Sequence, residues 1–157
     1  MMCEKDKVVE YLLKSGKTVA VAESCTGGML AKAFTDYAGI SSVFVEGIVT
    51  YANEAKIRMG VRPETTESFG AVSHETAREM AEAIRKRTGA DITVSTTGIA
   101  GPGGGTERKP VGLVYVGICR EGKTRTFTLR LSGNRDTIRR KTVQAVFYFL
   151  SSELEEF

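Results

Sequence analysis

The sequence predicts a three-layer α/β/α sandwich on a mixed, mainly parallel sheet with one antiparallel hairpin. Two observations carry this. Short apolar runs of strand length alternate with stretches of helical periodicity through the first two thirds of the chain, as expected for strands joined by covering helices. Two β-rich segments then follow one another across a short turn, the pattern of a hairpin. Residues 1–157 read as one domain, of a size that buries roughly 68–70% of its unfolded surface and needs no disulfide or metal to fold. No repeat, linker or low-complexity tract interrupts it, and the pattern leaves the strand order open.

Val8, Val9, Leu12 and Leu13 share a helical face, so Glu4 to Lys14 is expected to be an amphipathic helix ended by Gly16. Thr18 to Ala22 is a nearly all-apolar strand. Without polar alternation it should be covered on both faces, as a central strand is. Met29, Leu30, Ala33, Phe34 and Tyr37 recur at helical spacing from Thr26 to Tyr37, and Gly39 stops that helix. Val43 to Tyr51 is the second strand, after which Asn53 can cap a short helix, Glu54 to Met59, closed by Gly60. Ser73 as N-cap and Glu75 in the first turn open a helix to Arg87, with Ala77, Met80, Ala81 and Ile84 on one face and Gly89 at its end. Ile92 and Val94 begin a third strand leading into Thr96 to Gly105, the most glycine-rich segment and therefore a loop. Val111 to Ile118 and Thr124 to Leu131 form the hairpin around Glu121-Gly122, and Asn134 to Leu150 closes the fold as a helix.

Composition narrows the function. Hydrophobic residues at 41% and charged residues at 26% describe an ordinary globular protein, and no apolar run approaches the ~20 residues of a membrane span. The start, Met1 to Lys7, is too charged for a signal peptide, so a cytoplasmic location is expected and a membrane partner is not. Cys3, Cys25 and Cys119 are far apart and odd in number, which favours reduced thiols over disulfides or zinc. A net charge of +3 is too small to argue for nucleic acid, although Arg135, Arg139, Arg140 and Lys141 could bind one phosphate. A small anionic ligand is the more economical partner.

Gly117-Ile118-Cys119-Arg120-Glu121-Gly122-Lys123-Thr124 matches the G-x-x-x-x-G-K-[ST] phosphate-loop pattern, which would make the protein an NTPase. A working loop of that kind leads into a helix, whereas Thr124 onward alternates with the period of a strand. A hairpin turn is the better reading. His74, the only histidine, sits at the expected solvent-facing start of a helix, so serine chemistry here needs another base, and lysine is the obvious candidate.

Ser24 and Thr26 stand between a strand and a helix, where hydroxyl residues often do no more than cap. The same geometry suits a nucleophile. Free N–H groups at residues 26 to 28 would form an oxyanion hole or anion site, and Gly27-Gly28 would leave space for substrate. Cys25 is the rival nucleophile, but nothing beside it activates its thiol.

Ala22-Glu23-Ser24-Cys25-Thr26-Gly27-Gly28, Gly47 to Lys56, Gly70-Ala71-Val72-Ser73, Thr97 to Gly104 with Lys109-Pro110-Val111-Gly112, and Ser132-Gly133-Asn134-Arg135-Asp136 occur in order along the chain. In these motifs the sequence resembles the CinA C-terminal domain family, the nicotinamide-nucleotide amidases (PncC), over nearly its whole length. The resemblance implies hydrolysis of nicotinamide mononucleotide to nicotinic acid mononucleotide and ammonia, a salvage step toward NAD. It places the nucleophile on Ser24, and the tyrosine and lysine of Y-x-x-x-x-K on Tyr51 and Lys56. The hydroxyl residue before the G-I-A-G-P loop falls on Thr97, where many relatives have serine, and the arginine after the S-G motif falls on Arg135. The N-terminal domain of two-domain members does not occur in this chain, so an activity of that half is not expected.

Under that resemblance, neutral Lys56 takes the Ser24 proton, the alkoxide attacks the carboxamide carbon, and N–H groups near Thr26 and Gly27 hold the oxyanion. Ammonia leaves, and water cleaves the acyl-enzyme. Lys56 must then lose its proton well below the usual lysine range, through burial and a nearby cation such as Arg135, which could instead hold the substrate phosphate. Tyr51 is expected to relay the proton or orient Lys56. Gly98, Gly101 and Gly103, with Gly28, would border the nucleotide, and the glycine loop should be ordered by a ligand or a second subunit in a homo-oligomer, dimer or larger. No metal or organic cofactor is required. The competing reading is a non-catalytic nucleotide-binding module with a regulatory or competence-associated role.

Overall fold

In the computed structural model, which describes residues 1–155, five strands form one sheet in the order β2-β1-β3-β4-β5. The strands are β1 (Val19–Glu23), β2 (Phe44–Val49), β3 (Ile92–Gly98), β4 (Leu113–Arg120) and β5 (Lys123–Arg130). β1 pairs in parallel with β2 and β3, while β4 is antiparallel to both β3 and β5, so four of the five strands run the same way. The helices are α1 (Glu4–Ser15), α2 (Met29–Thr35), α3 (Asn53–Met59), α4 (Pro63–Phe69), α5 (His74–Thr88) and α6 (Arg135–Glu155), with a 3-10 turn at Ile40–Ser42. The expected domain end at 157 lies outside the described residues. Among the described residues, no helix is long and apolar enough to cross a membrane.

The two faces of β1 show why its sequence lacks polar alternation. Val19 and Val21 pack among Val8 and Leu12 of α1, Leu30 and Phe34 of α2, and Val146, Phe147 and Leu150 of α6. Ala20 and Ala22 face the other way, against Met80 and Ile84 of α5. Small groups let α5 approach that face closely. Thr93 and Ser95 of β3 donate to the Ala81 and Ala77 carbonyls of α5 at 2.7 and 2.5 Å, and a Cβ on Gly117 of β4 would lie 2.6 Å from the Ala77 carbonyl oxygen.

β1 and β3 are neighbours whose outgoing chains leave in opposite directions along the sheet, β1 through α2 to β2 on one side and β3 through the glycine loop to β4 on the other. Their carboxyl ends therefore flank a topological switch point, the usual place for a ligand crevice in an open α/β sheet.

Several boundaries differ from the sequence pattern. α2 starts at Met29 rather than Thr26, because Gly27 and Gly28, at φ +54° and +102°, spend those residues on a turn. β2 is shorter than Val43 to Tyr51, since Thr50 and Tyr51 already turn toward α3. Asn53 is the first residue of α3 and not its cap, which is Ala52. α4 was not expected from periodicity; Pro63 opens this short polar helix. The phosphate-loop match is β4, a two-residue turn and β5, with Glu121 and Gly122 at φ +52° and +76°, both in the left-handed region such a hairpin turn requires.

Candidate active site

β1 ends at Glu23, whose buried carboxylate organises the next eight residues. It accepts from the Thr26 hydroxyl at 2.5 Å and from the backbone N–H groups of Gly28, Leu30 and Ala31 at 3.2, 2.8 and 3.0 Å. The carboxylate thus occupies the start of α2, where the unpaired N–H groups and the helix dipole favour negative charge. Thr26 is also within 2.7 Å of the Thr96 hydroxyl on β3. Between these anchors Ser24 is held by its own N–H on the Thr96 carbonyl at 2.9 Å, and its side chain faces α3.

There it meets Lys56, the one lysine buried in the core, at 1% exposure. Lys56 Nζ lies 2.9 Å from Ser24 Oγ, 2.8 Å from the Thr50 carbonyl oxygen and 3.1 Å from that of Tyr51. Carbonyls only accept, so two Nζ protons are committed to Thr50 and Tyr51. The third direction points at the serine. In the neutral amine it holds the lone pair, and the Ser24 hydroxyl then donates to it, which is the arrangement a general base needs.

The surroundings favour that state. Burial pushes Lys56 below the usual lysine range, and the one charge opposing this is that of a Cys25 thiolate. Burial, aided by Glu23, pushes the Cys25 thiol up to about 12, so near neutral pH the thiolate is absent. The same shift makes Cys25 a poor rival nucleophile.

A cleft of about 260 Å³ opens beside the pair, with Tyr51, Asn53, Thr97, Arg135 and the loop from Gly98 to Gly104 among its walls. Thr97 donates its hydroxyl proton to the Ala71 carbonyl at 2.7 Å, leaving its oxygen as an acceptor. Arg135 donates to the Gly101 carbonyl at 2.7 Å and to the Tyr51 hydroxyl at 2.8 Å, bridging the two sides of the cleft mouth.

The structure brings Ser24, Lys56, Tyr51, Thr97, Gly98, Gly101, Gly103 and Arg135 to one cleft. Other expectations change. Thr26, Gly27 and Gly28 do not line it: the Gly27 N–H bonds the Ser24 carbonyl at 3.0 Å, and the Gly28 N–H is taken by Glu23. The N–H directly after the nucleophile is that of Cys25, which among the described residues meets only its own thiol. Tyr51 orients Lys56 through its carbonyl, while its phenol serves Arg135, so no relay through the ring is built. Arg135 is not among the causes that lower Lys56; burial does that. The glycine loop also makes contacts within the protein, its Ile99 carbonyl accepting from the Gly112 N–H at 2.8 Å and its Gly101 carbonyl from Arg135 at 2.7 Å. Gly98 and Gly101 are glycine for packing, since a Cβ on either would lie within 2.6 Å of Val114 or Val111 side-chain atoms.

Sequence reasoning assigned no role to Glu23. The available signal was an acidic residue ending an apolar strand with a threonine three positions on, just before a helix.

Fold and site define a class: a mixed-sheet α/β/α domain with a paired serine and lysine at its switch point. Within that class the chain belongs to the CinA C-terminal domain family, whose model matches residues 3–154. A competence-damage inducible protein of Clostridium acetobutylicum is 54% identical over 151 residues, covering 96% of this chain and 37% of that protein. One from Thermoanaerobacter pseudethanolicus is 59% identical over 142 residues, covering 89% and 34%. The chain therefore spans a little over a third of the length of the curated relatives it matches. Among solved structures, a competence/damage inducible protein from Agrobacterium tumefaciens superposes with a TM-score of 0.92 at 41% identity, covering 95% of this chain and 92% of that one. A competence damage-inducible protein from Klebsiella pneumoniae gives a TM-score of 0.94 at 34% identity, covering 98% and 96%.

Proposed function

We propose that this domain is an amidohydrolase that converts nicotinamide mononucleotide and water to nicotinic acid mononucleotide and ammonia. The observation that carries the chemistry is Lys56 Nζ, buried without a counterion, 2.9 Å from Ser24 Oγ and with its other donors on two carbonyls. Lys56 takes the Ser24 proton as Oγ bonds to the carboxamide carbon. The oxyanion is met by the Cys25 N–H. Collapse of the tetrahedral intermediate breaks the C–N bond, with the proton on Lys56 passing to the departing nitrogen, so ammonia leaves. Water then adds to the ester, Lys56 again accepting a proton, and the carboxylate product and free Ser24 are restored.

The choice of a pyridine nucleotide rests on the family motifs, supported by the polar cleft and by Arg135 at its mouth as the group to meet a phosphate. The partner is then a small-molecule nucleotide, and no step calls for a cofactor.

The test is ammonia release from nicotinamide mononucleotide by the purified protein. Stoichiometric ammonia and nicotinic acid mononucleotide are expected. Binding of the nucleotide without turnover would reject hydrolysis in favour of a non-catalytic nucleotide-binding module.

A further inference from the structure

We propose that Arg139 is a positioning residue for Ser24, gripping the carbonyl side of the nucleophile turn while Glu23 grips its N–H side. The idea rests on Ser24 being the nucleophile, as proposed above.

Arg139 lies one helical turn beyond Arg135 on α6, so both side chains leave the same face. Its Nε donates to the Cys25 carbonyl at 3.2 Å and its Nη2 to the Thr26 carbonyl at 3.0 Å. A guanidinium offers several donors in one rigid plane, so a single side chain can bridge two successive carbonyls. Among the described residues, its polar contacts are with backbone carbonyls and no carboxylate.

A second observation comes from Gly27. A Cβ there would stand 2.9 Å from Arg139 Nη2, so a side chain at position 27 would push the guanidinium off the turn. The glycine keeps the path of Arg139 open.

The consequence follows from peptide planarity. Fixing the Cys25 and Thr26 carbonyls fixes the planes of the two peptide units that begin at those residues, directly after the nucleophile. The turn has few bonds of its own, Gly27 N–H to the Ser24 carbonyl at 3.0 Å and Met29 N–H to the Thr26 carbonyl at 2.9 Å. Without Arg139 the Cys25 carbonyl loses its donor, and the turn that aims Ser24 at Lys56 is held from one side only. Misplacement of a reacting group by about 1 Å can cost about 10²-fold in rate. Arg139 does not itself line the cleft or touch Ser24 Oγ and reaches the site only through the Cys25 and Thr26 carbonyls, so its loss acts on turnover more than on substrate affinity.

The experiment compares the wild-type chain with Arg139→Met, Gly27→Ala, the double variant and Lys14→Met, a control at an exposed α1 charge paired only with Glu10. Two readouts are taken: kcat and KM for ammonia release from nicotinamide mononucleotide, and hydrogen–deuterium exchange of the peptide spanning residues 23–30. Arg139→Met is expected to lower kcat about 10- to 100-fold with KM within about threefold of wild type, and to speed exchange in that peptide. Gly27→Ala should do the same in smaller degree. Gly27→Ala also strains a backbone held at φ +54°, so the double variant should lose less than the product of the two single losses, the Arg139 grip being the part they share. Lys14→Met should match wild type. Unchanged exchange in Arg139→Met, or faster exchange with unaltered kcat, or multiplicative losses in the double variant, would overturn the proposal. If wild type releases no ammonia, the substrate reading has failed, and the exchange comparison alone decides whether Arg139 holds the turn.

Discussion

Glu23 and Lys56 are both buried charged residues at the carboxyl edge of the parallel strands, yet their surroundings are opposites. Four donors converge on the Glu23 carboxylate, and the start of α2 adds its dipole. The carboxylate is surrounded by donors. Lys56 meets two carbonyls and a hydroxyl, with burial working against its charge. One site uses its charge to hold a turn together; the other keeps a charge uncomfortable, so that its proton is easily given up. Buried charge on its own therefore does not mark a reactive group. The number and kind of its partners do.

That contrast can be broken most severely at Lys56. Lys56→Met should lower the rate of ammonia release by about 10²–10⁴-fold, the range for loss of a general base. Its stability at pH 7 should stay close to wild type, because an ammonium that burial disfavours is gone while the Thr50 and Tyr51 carbonyls lose a donor. The sign of the pH dependence sharpens the point. A lysine with a lowered folded-state pKa stabilises the fold fully above its unfolded value, and that contribution is lost as pH falls to the lowered folded value. Denaturant titrations should therefore show wild type losing stability relative to Lys56→Met as pH is lowered through that window. Activity should likewise rise with pH as the Lys56 ammonium deprotonates.

Glu23→Ala should reverse the balance. Three backbone N–H groups and a buried hydroxyl lose their acceptor, a cost of about 3–5 kcal/mol that thermal unfolding would reveal as a fall in Tm of about 6–20 °C. Cys25→Ala removes a thiol that stays protonated. It should keep kcat/KM within about threefold, and a near-total loss in a folded variant would move the nucleophile to sulfur. The smallest effect belongs to Lys123→Ala at the hairpin turn, where activity and Tm should be unchanged within error and no phosphate should be released from ATP.

Much of this was legible before the structure. The apolar run from Val19 to Ala22 announced a strand covered on both sides, and alternation after Thr124 disqualified the phosphate-loop spacing. Family motifs drew Ser24, Tyr51, Lys56, Thr97 and Arg135 together, and the fold places them around one cleft. What stayed hidden was which atom of each residue is used. The Tyr51 contact to Lys56 is made by a backbone carbonyl, which any residue supplies, so its side chain gave no clue. Free N–H groups expected from the glycines had already been claimed by Glu23 and by the turn, a matter of backbone angles at Gly27 and Gly28. α4 escaped because a short polar helix has too little apolar surface to show a period.

The central claim is that Ser24, activated by Lys56, carries the reaction. The most direct measurement is ammonia release from nicotinamide mononucleotide by wild type and by Ser24→Ala, with both shown to be folded. Turnover by wild type and none above background by Ser24→Ala is the expected result. Undiminished ammonia from Ser24→Ala, or none from wild type, would contradict it.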